Sequence, residues 1–546
     1  MERILQVCFA DSFHMMETKK RWEVPLLPQE NQKVSSSLLK GAAVMTAFAL
    51  CGKLLGVLLR LYLTSRIGSE GIGLYQLVMS VYGLFSTVAT AGLTVAVSRL
   101  VAEKAAHSLS NATLLLRASV VAGLAVSLLS TAALLGTADF FALHIVRDES
   151  TAPSLRILAL SMPFMAVAAC FKGWFIARRQ VLRSSSASFF EQCVKFAVMA
   201  LFLNGVMAHT NDPGMLCTGI VLGVTIGECS SFVYLWIAYR FLRGYVRRQE
   251  YHPTDGFGSS LRVLTKVAAP IGLSIIMTSL LHTAENLILP SVFEKYGGDR
   301  STALSQFGII RGMVIPLLFF PFAFLQSLVS VMIPEISRLG VSDGKEARDR
   351  QIGRILSVAF LFGIAAGGLF FFLPKELGQT FYPGQDVTHS LRLLAVVTPC
   401  MYVQTICDGL LKAVDGQKYT LRYSVYNSLL RLVVIYTLIP LTGAEGYLLL
   451  LILSNTFEFA LCYRRLKTYA RFSVGALRGV LAPLVSAVLG GAAARMILRL
   501  PSFLHASPLP SAMAGSAVYL GVFLLLTLPL YRQFLPFTKR RERAAA

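Results

Sequence analysis

The chain has 546 residues, is 55% hydrophobic and only 15% charged, with a mean hydropathy of +0.62. That balance excludes an ordinary soluble globular protein and marks an all-α integral membrane protein. A formal net charge of +22 would suit a nucleic-acid binder, but the lysines and arginines sit in short stretches between apolar runs, as the positive-inside rule expects, so no nucleic-acid partner is implied.

Residues 1–37 mix charges with Pro25 and Pro28 and lack the unbroken apolar core of a signal peptide. They are expected to form a flexible cytoplasmic tail. From there a window of about 19–20 residues, enough to span roughly 30 Å of hydrocarbon, predicts about fourteen transmembrane helices. The first six lie near 41–63, 72–98, 114–137, 155–177, 186–208 and 214–239. Six more lie near 263–290, 308–333, 352–373, 390–412, 419–440 and 444–463, and a final pair near 476–498 and 512–531.

Cations alternate between the connecting loops. One side receives Lys33 and Lys40, Arg99 and Lys104, Arg178 to Arg183, Arg240 to Arg248, Arg338 to Arg354, Lys412 to Arg422, Arg464 to Lys467, and Lys539 to Arg543. The other side is sparse or acidic, as in Asp139 to Glu149 and at Glu445. This predicts a multi-pass plasma-membrane protein with both termini cytoplasmic.

A shift of about 236 residues lays Leu158–Ala177 on Leu394–Ala413, matching Pro163 with Pro399, Met165 with Met401 and Gly173 with Gly409. The same shift places Glu191 on Asn427 and Lys195 on Arg431, and a slightly smaller one places Glu228 on Glu458. Six helices per copy implies parallel repeats: two six-helix lobes related by a pseudo-two-fold axis along the membrane normal, facing a central cleft, plus two C-terminal helices. The expected divisions are 1–37 (tail), 38–260 (N-terminal lobe), 261–470 (C-terminal lobe) and 471–546 (two extra helices and a basic cytoplasmic tail).

In the first helix Lys53, Gly56 and Arg60 share one face. A midplane lysine reaches water only through a cavity, whereas Arg60, near the helix end, can either line the cleft or snorkel to the headgroups. In the seventh, Ser274, Thr278, His282, Glu285 and Asn286 form a polar stripe that must avoid lipid. His282, Glu285 and Asn286 are the candidates for a polar or ion-coupling role in the cleft, and Arg311 in the eighth helix is a further basic candidate. Lys195 with Glu228, and Arg431 with Glu458, are expected to form mirrored structural ion pairs. Gly52-x3-Gly56, Gly219-x3-Gly223-x3-Gly227 and Gly363-x3-Gly367 read as close-packing surfaces, and Pro163, Pro316, Pro321 and Pro399 as bends. The nine cysteines fall in no CxxC or metal-ligand spacing. No catalytic constellation, metal set or nucleotide fingerprint is found among the residues.

The stretch Lys40 to Glu103, KGAAVMTAFALCGKLLGVLLRLYLTSRIGSEGIGLYQLVMSVYGLFSTVATAGLTVAVSRLVAE, resembles the start of the stage V sporulation protein B group of polysaccharide and lipid-linked oligosaccharide flippases. That group belongs to the superfamily that also holds the MurJ-type lipid II flippases and the multidrug antiporters. Its specific part is Gly56 and Arg60 followed by Gly68, Glu70, Gly71, Gly73, Leu74 and Tyr75. The resemblance implies an alternating-access flippase carrying an undecaprenyl-pyrophosphate-linked saccharide to the outer leaflet, for peptidoglycan, spore cortex or a surface polysaccharide. Lys53, Arg60, Arg311 and Arg431 are then the expected diphosphate-binding residues, since a lipid diphosphate needs buried cations. No cofactor is implied, and coupling to the membrane potential or to a monovalent ion is left open. Expected partners are the lipid-linked saccharide, membrane lipids and cell-wall synthesis proteins. A cation-coupled multidrug antiporter, using Glu228 or Glu285, is the alternative, and a scaffold or polymerase of cell-wall synthesis the second.

Overall fold

The computed structural model describes residues 32–90, 92–106, 108–206, 210, 212–246, 255–297, 299–342, 344–414, 416–500 and 507–531. Most of the expected tail, Arg247, Arg248 and Lys539 to Arg543 lie outside the described residues. By backbone contacts the chain divides into Met1–Ala43 and Val44–Ala546. The first contributes the helical residues 32–43, so helix begins inside the segment expected as a tail; everything below concerns the second.

All regular structure among the described residues is helical. In chain order the helices are α1 (Gln32–Thr90), α2 (Leu93–Ala105), α3 (Leu109–Phe140), α4 (Ala152–Ala159), α5 (Met162–Ala177), α6 (Val181–Leu201), α7 (Pro213–Val246) and α8 (Phe257–Lys295). They continue as α9 (Arg300–Phe307), α10 (Ile315–Ser342), α11 (Lys345–Phe372), α12 (Pro374–Phe381), α13 (Thr388–Ala413), α14 (Gln417–Thr437), α15 (Ile439–Tyr469), α16 (Ala482–Leu498) and α17 (Pro508–Tyr531).

Among the described residues, twelve segments are long and apolar enough to cross a membrane. The difference from fourteen has two sources. Leu50–Ala105, which takes in most of α1 and all of α2, counts as one candidate span of 56 residues, about 84 Å if straight at 1.5 Å per residue, far beyond the bilayer's ~30 Å core. Gly68 breaks it, with φ 64° and ψ −172°, a left-handed conformation open to glycine because it lacks Cβ. The other source is α14, where Lys418, Arg422 and Arg431, together with Gln417, Thr420, Ser424, Asn427 and Ser428, make the helix much less apolar than the others. The same turn chemistry recurs within α15. Gly443-Ala-Glu445-Gly446 repeats the Gly-x-Glu-Gly of Gly68 to Gly71, and Gly443 adopts φ 60° and ψ −146°.

Helices α2, α3 and α5 pack on one another and α6 on α7, while α11 packs on α13, α13 on α15 and α14 on α15. Helices α16 and α17 pair together and lean on α11 and α12 respectively. Helix α8 joins the two sets, touching α2 and α3 as well as α14 and α15. The prolines do not act alike. Pro163 sits at the start of α5, where the expected helix 155–177 is interrupted, whereas Pro399 lies inside unbroken α13. Gly363 and Gly367 receive that proline: a Cβ on Gly363 would stand 2.8 Å from Pro399 Cα. Gly52 and Gly56, by contrast, have nothing within 4 Å of a Cβ position. They are open rather than close-packed, and widen the space beside Lys53.

Candidate functional site

Glu285 on α8 is the centre of the deepest charge cluster, with 1% of its side chain exposed. Its carboxylate accepts from the Arg311 guanidinium, from Arg431 Nη1 at 3.4 Å and from the Tyr447 hydroxyl at 3.2 Å. His282 Nδ1 stands 3.9 Å away. Arg431 also donates through Nε to Ser454 Oγ at 2.9 Å, and the Arg311 guanidinium lies over the Tyr447 ring at 5.6 Å. Four elements therefore meet here. Arg311 arrives on a π-helical turn, Gly308–Val314, immediately ahead of Pro316. Proline offers no backbone N–H, and wide turns of this kind recur where a helix must present a side chain for function.

The cluster holds two guanidinium groups against one carboxylate. Its counterpart among the earlier helices balances. Lys195 on α6 donates to Glu191 at 2.8 Å and to Glu228 at 2.9 Å, and Lys172 reaches Glu191 at 3.5 Å. Gly227 makes room for this, because a Cβ there would collide with Lys195 Cγ; the Gly223-x3-Gly227 surface thus seats the lysine stem between α6 and α7.

The expected mirror pair Arg431–Glu458 is replaced by another arrangement. Asn427 Nδ2 donates to Glu458 at 2.6 Å, and Arg431 turns to Glu285 and Ser454. The reason lies in the repeat itself. Asn427 occupies the place of Glu191 and brings a donor where the first copy has a carboxylate, so the hydrogen bond to Glu458 comes from the amide and Arg431 acts on it only through its charge. Nearby, Asp408 accepts from Gln404 at 3.2 Å and from the Cys462 thiol at 3.4 Å.

The polar stripe expected along α8 splits between neighbours. Asn286 Nδ2 donates to Ser80 Oγ at 3.1 Å and Thr283 to the Ser80 carbonyl at 3.3 Å, both on α1. Ser274 and Thr278 return their hydroxyls to carbonyls of their own helix. His282 is half exposed, at 52%. Adjacent helical residues are separated by about 100°, which sends Glu285 and Asn286 to different partners.

On α1, Lys53 is exposed and its Nζ donates to Gln326 Oε1 of α10 at 2.5 Å. Its only hydrogen-bond partner among the described residues is thus neutral, on a helix of the other set. Arg60 is also exposed. Outside the spanning segments, burial pushes the Tyr382 phenol up to about 12, with the Arg60 charge pulling the other way. Near the Gly68 turn the chain closes tightly. Ser69 and Ser305 share a hydrogen bond at 2.5 Å, Ser301 donates to Glu70 at 2.6 Å, and the Leu304 carbonyl occupies the space a Cβ on Gly73 would need. The glycine motif is a helix–helix seam.

Tyr447, Ser454, Gln326 and Lys172 were not legible as site residues. Tyr447 alone carries a signal, following the second Gly-x-Glu-Gly turn.

Residues 38–340 match the family model described as polysaccharide biosynthesis protein, and the chain belongs to that family as a multi-pass membrane protein. It is 23% identical over 420 residues to stage V sporulation protein B of Bacillus subtilis (strain 168), covering 75% of this chain and 80% of the relative. It is 23% identical over 498 residues to the lipid II flippase MurJ of the same organism, covering 84% and 88%. Among solved structures, lipid II flippase MurJ in an inward closed conformation superposes with a TM-score of 0.66 at 14% identity, over 90% of this chain and 99% of that one. An inward-facing multidrug resistance MATE transporter of the MOP superfamily gives 0.57 at 15% identity, over 78% and 98%. The fold is that of these transporters.

Proposed function

We propose that the protein is a transporter, not an enzyme, that flips an undecaprenyl-pyrophosphate-linked saccharide from the inner to the outer leaflet by alternating access. The product would serve peptidoglycan, spore cortex or another surface polymer. The observation that carries this reading is an excess of intramembrane cation: Arg311 and Arg431 share the single carboxylate of Glu285, and Lys53 is parked on a neutral amide. Cations kept in apolar surroundings without matching carboxylates favour an anionic ligand, and guanidinium and ammonium groups suit phosphate oxygens.

In this scheme the halves 38–260 and 261–470 rock about a cleft while both termini stay cytoplasmic. Lys53 exchanges Gln326 for phosphate, with Arg60 guiding the head group toward the Gly68 end and with Arg311 and Arg431, two cations on the one carboxylate of Glu285, offering their spare charge to the diphosphate. The prenyl tail stays in lipid. An inside-negative potential favours outward passage by about 2.3 kcal/mol per charge per 100 mV, so no nucleotide is required. Cell-wall synthesis proteins are the expected consumers. The test is reconstitution with fluorescent lipid II and other lipid-linked sugars, following leaflet exchange with and without an imposed potential. Exchange that depends on Lys53 supports the reading; no exchange of any lipid diphosphate overturns it.

A second reading, a cation-coupled antiporter, is favoured by Asp408 and Glu458, whose hydrogen bonds come from the neutral donors Gln404, Cys462 and Asn427. It predicts that cells gain protection from cationic dyes and lose it in Asp408→Asn.

A further inference from the structure

A second concentration of cations lies away from the Glu285 cluster. The start of α11, the end of α15 and the segment 470–475 leading to α16 enclose a cavity of 1040 Å³. Six cationic side chains line it against two carboxylates, Glu346 and Asp349. One pair is scaffolding. Arg348 donates to Asp349 Oδ1 at 3.1 Å and to the Tyr469 carbonyl at 2.9 Å, and the Arg471 backbone N–H donates to Asp349 Oδ2 at 2.7 Å. These bonds occupy Asp349 and pin the 470–475 segment to α11.

The remaining cations, Lys345, Arg350, Arg354, Lys467 and Arg471, are exposed, and none makes an ion pair with a described carboxylate. Lys467 is instead placed over the Tyr463 ring, 5.0 Å from its centre. The first turn of α11 follows Gly344, which supplies no side-chain cap, so its free N–H groups and the helix dipole add to the positive field. A solvated run of inside-facing cations would stand apart along a loop. These converge from two stretches far apart in sequence, 345–354 and 467–471, on one concave space, at the ends of α11 and α15 that the charge alternation assigns to the cytoplasm.

We infer that this cavity binds a phosphate-bearing anion, supplied either by an anionic phospholipid headgroup of the adjoining leaflet or by a soluble phosphate compound. The site is independent of the transport cleft. Phosphate joins the ends of α11 and α15 to the segment that carries α16 and α17.

The test uses the full chain in phosphatidylcholine nanodiscs, with and without phosphatidylglycerol. Wild type is compared with the Arg350→Gln/Arg354→Gln/Arg471→Gln triple variant and with Arg464→Gln, an exposed arginine outside the cavity. Native mass spectrometry counts retained phosphatidylglycerol, and calorimetric titration of sodium pyrophosphate in phosphatidylcholine alone reads the soluble arm. In at least one arm the triple variant binds roughly a hundredfold more weakly than wild type, while Arg464→Gln matches wild type. Retained phosphatidylglycerol identifies the headgroup, and pyrophosphate binding identifies the soluble source. Arg354→Gln alone, which leaves the Arg348–Asp349 ties intact, moves the same way by about fivefold and serves should the triple variant misfold. No binding in either arm, equal binding by all variants, or an equal loss in Arg464→Gln overturns the inference. Because these measurements read binding rather than leaflet exchange, they stand or fall separately from the flippase reading.

Discussion

Arg431 and Glu285 are 146 positions apart in sequence, yet Nη1 of one lies 3.4 Å from the carboxylate of the other, inside the bundle. That contact ties α14 to α8 and leaves Glu285 answering two arginines. Removing the carboxylate strands both guanidinium groups. Glu285→Ala is expected to cost about 3–5 kcal/mol, the range for breaking a buried pair. Adding Arg431→Leu should recover a large part of the loss. Chemical unfolding in detergent checks this; simple addition of the two single effects would mean the residues are energetically independent.

Asn427 decides where Arg431 points. Asn427→Glu recreates the residue of the first copy, sets a second carboxylate beside Glu458 and draws Arg431 away from Glu285. The variant should lose about 1–3 kcal/mol, as expected for an unsatisfied buried polar group, and Glu458→Gln in the same chain should restore most of it. Melting curves of the three proteins give the answer.

Lys53 and Gln326 have unequal roles. Lys53→Ala should abolish leaflet exchange of a lipid diphosphate while helix content by circular dichroism stays unchanged. Gln326→Ala frees the ammonium and should retain exchange. If both changes were harmless, Lys53 would have no part in transport.

Alternating access requires one end of the cleft to separate, and a route past Arg60 makes the Gly68 end that seam. Ser69→Cys with Ser305→Cys, placed where the two hydroxyls meet at 2.5 Å, should form a disulfide under oxidation that stops exchange, with reduction restoring it. Exchange that persists with the crosslink complete would show that this seam does not separate. Gly73→Val introduces a Cβ against the Leu304 carbonyl and should disfavour the closed seam, raising the reactivity of a single Ser305→Cys toward a thiol reagent.

What the amino-acid order settled by itself was set by local physics. The apolar runs between Val44 and Pro529 had to be helical because backbone groups in hydrocarbon must be satisfied within the segment. Gly68 and Gly443 fall in the gaps between expected helices, 64–71 and 441–443, and the structure gives both dihedral angles that glycine enters readily. The repeat was legible in sequence because Pro163 and Gly173 recur as Pro399 and Gly409, and Lys195 has a basic counterpart, Arg431, at the same spacing. The Lys195–Glu228 contact joins neighbouring helices that pack along their length.

Tertiary structure decided which charge meets which. Glu285 is joined by Arg311, Arg431 and Tyr447 from three other elements, and no spacing along the chain encodes that meeting. Whether Gly52 and Gly56 faced a helix or open space, and whether Pro399 broke its helix as the gap before Pro163 does, likewise depended on the neighbours that folding delivered. A helix period specifies a face, but the partner of that face is selected by the packing of the whole bundle.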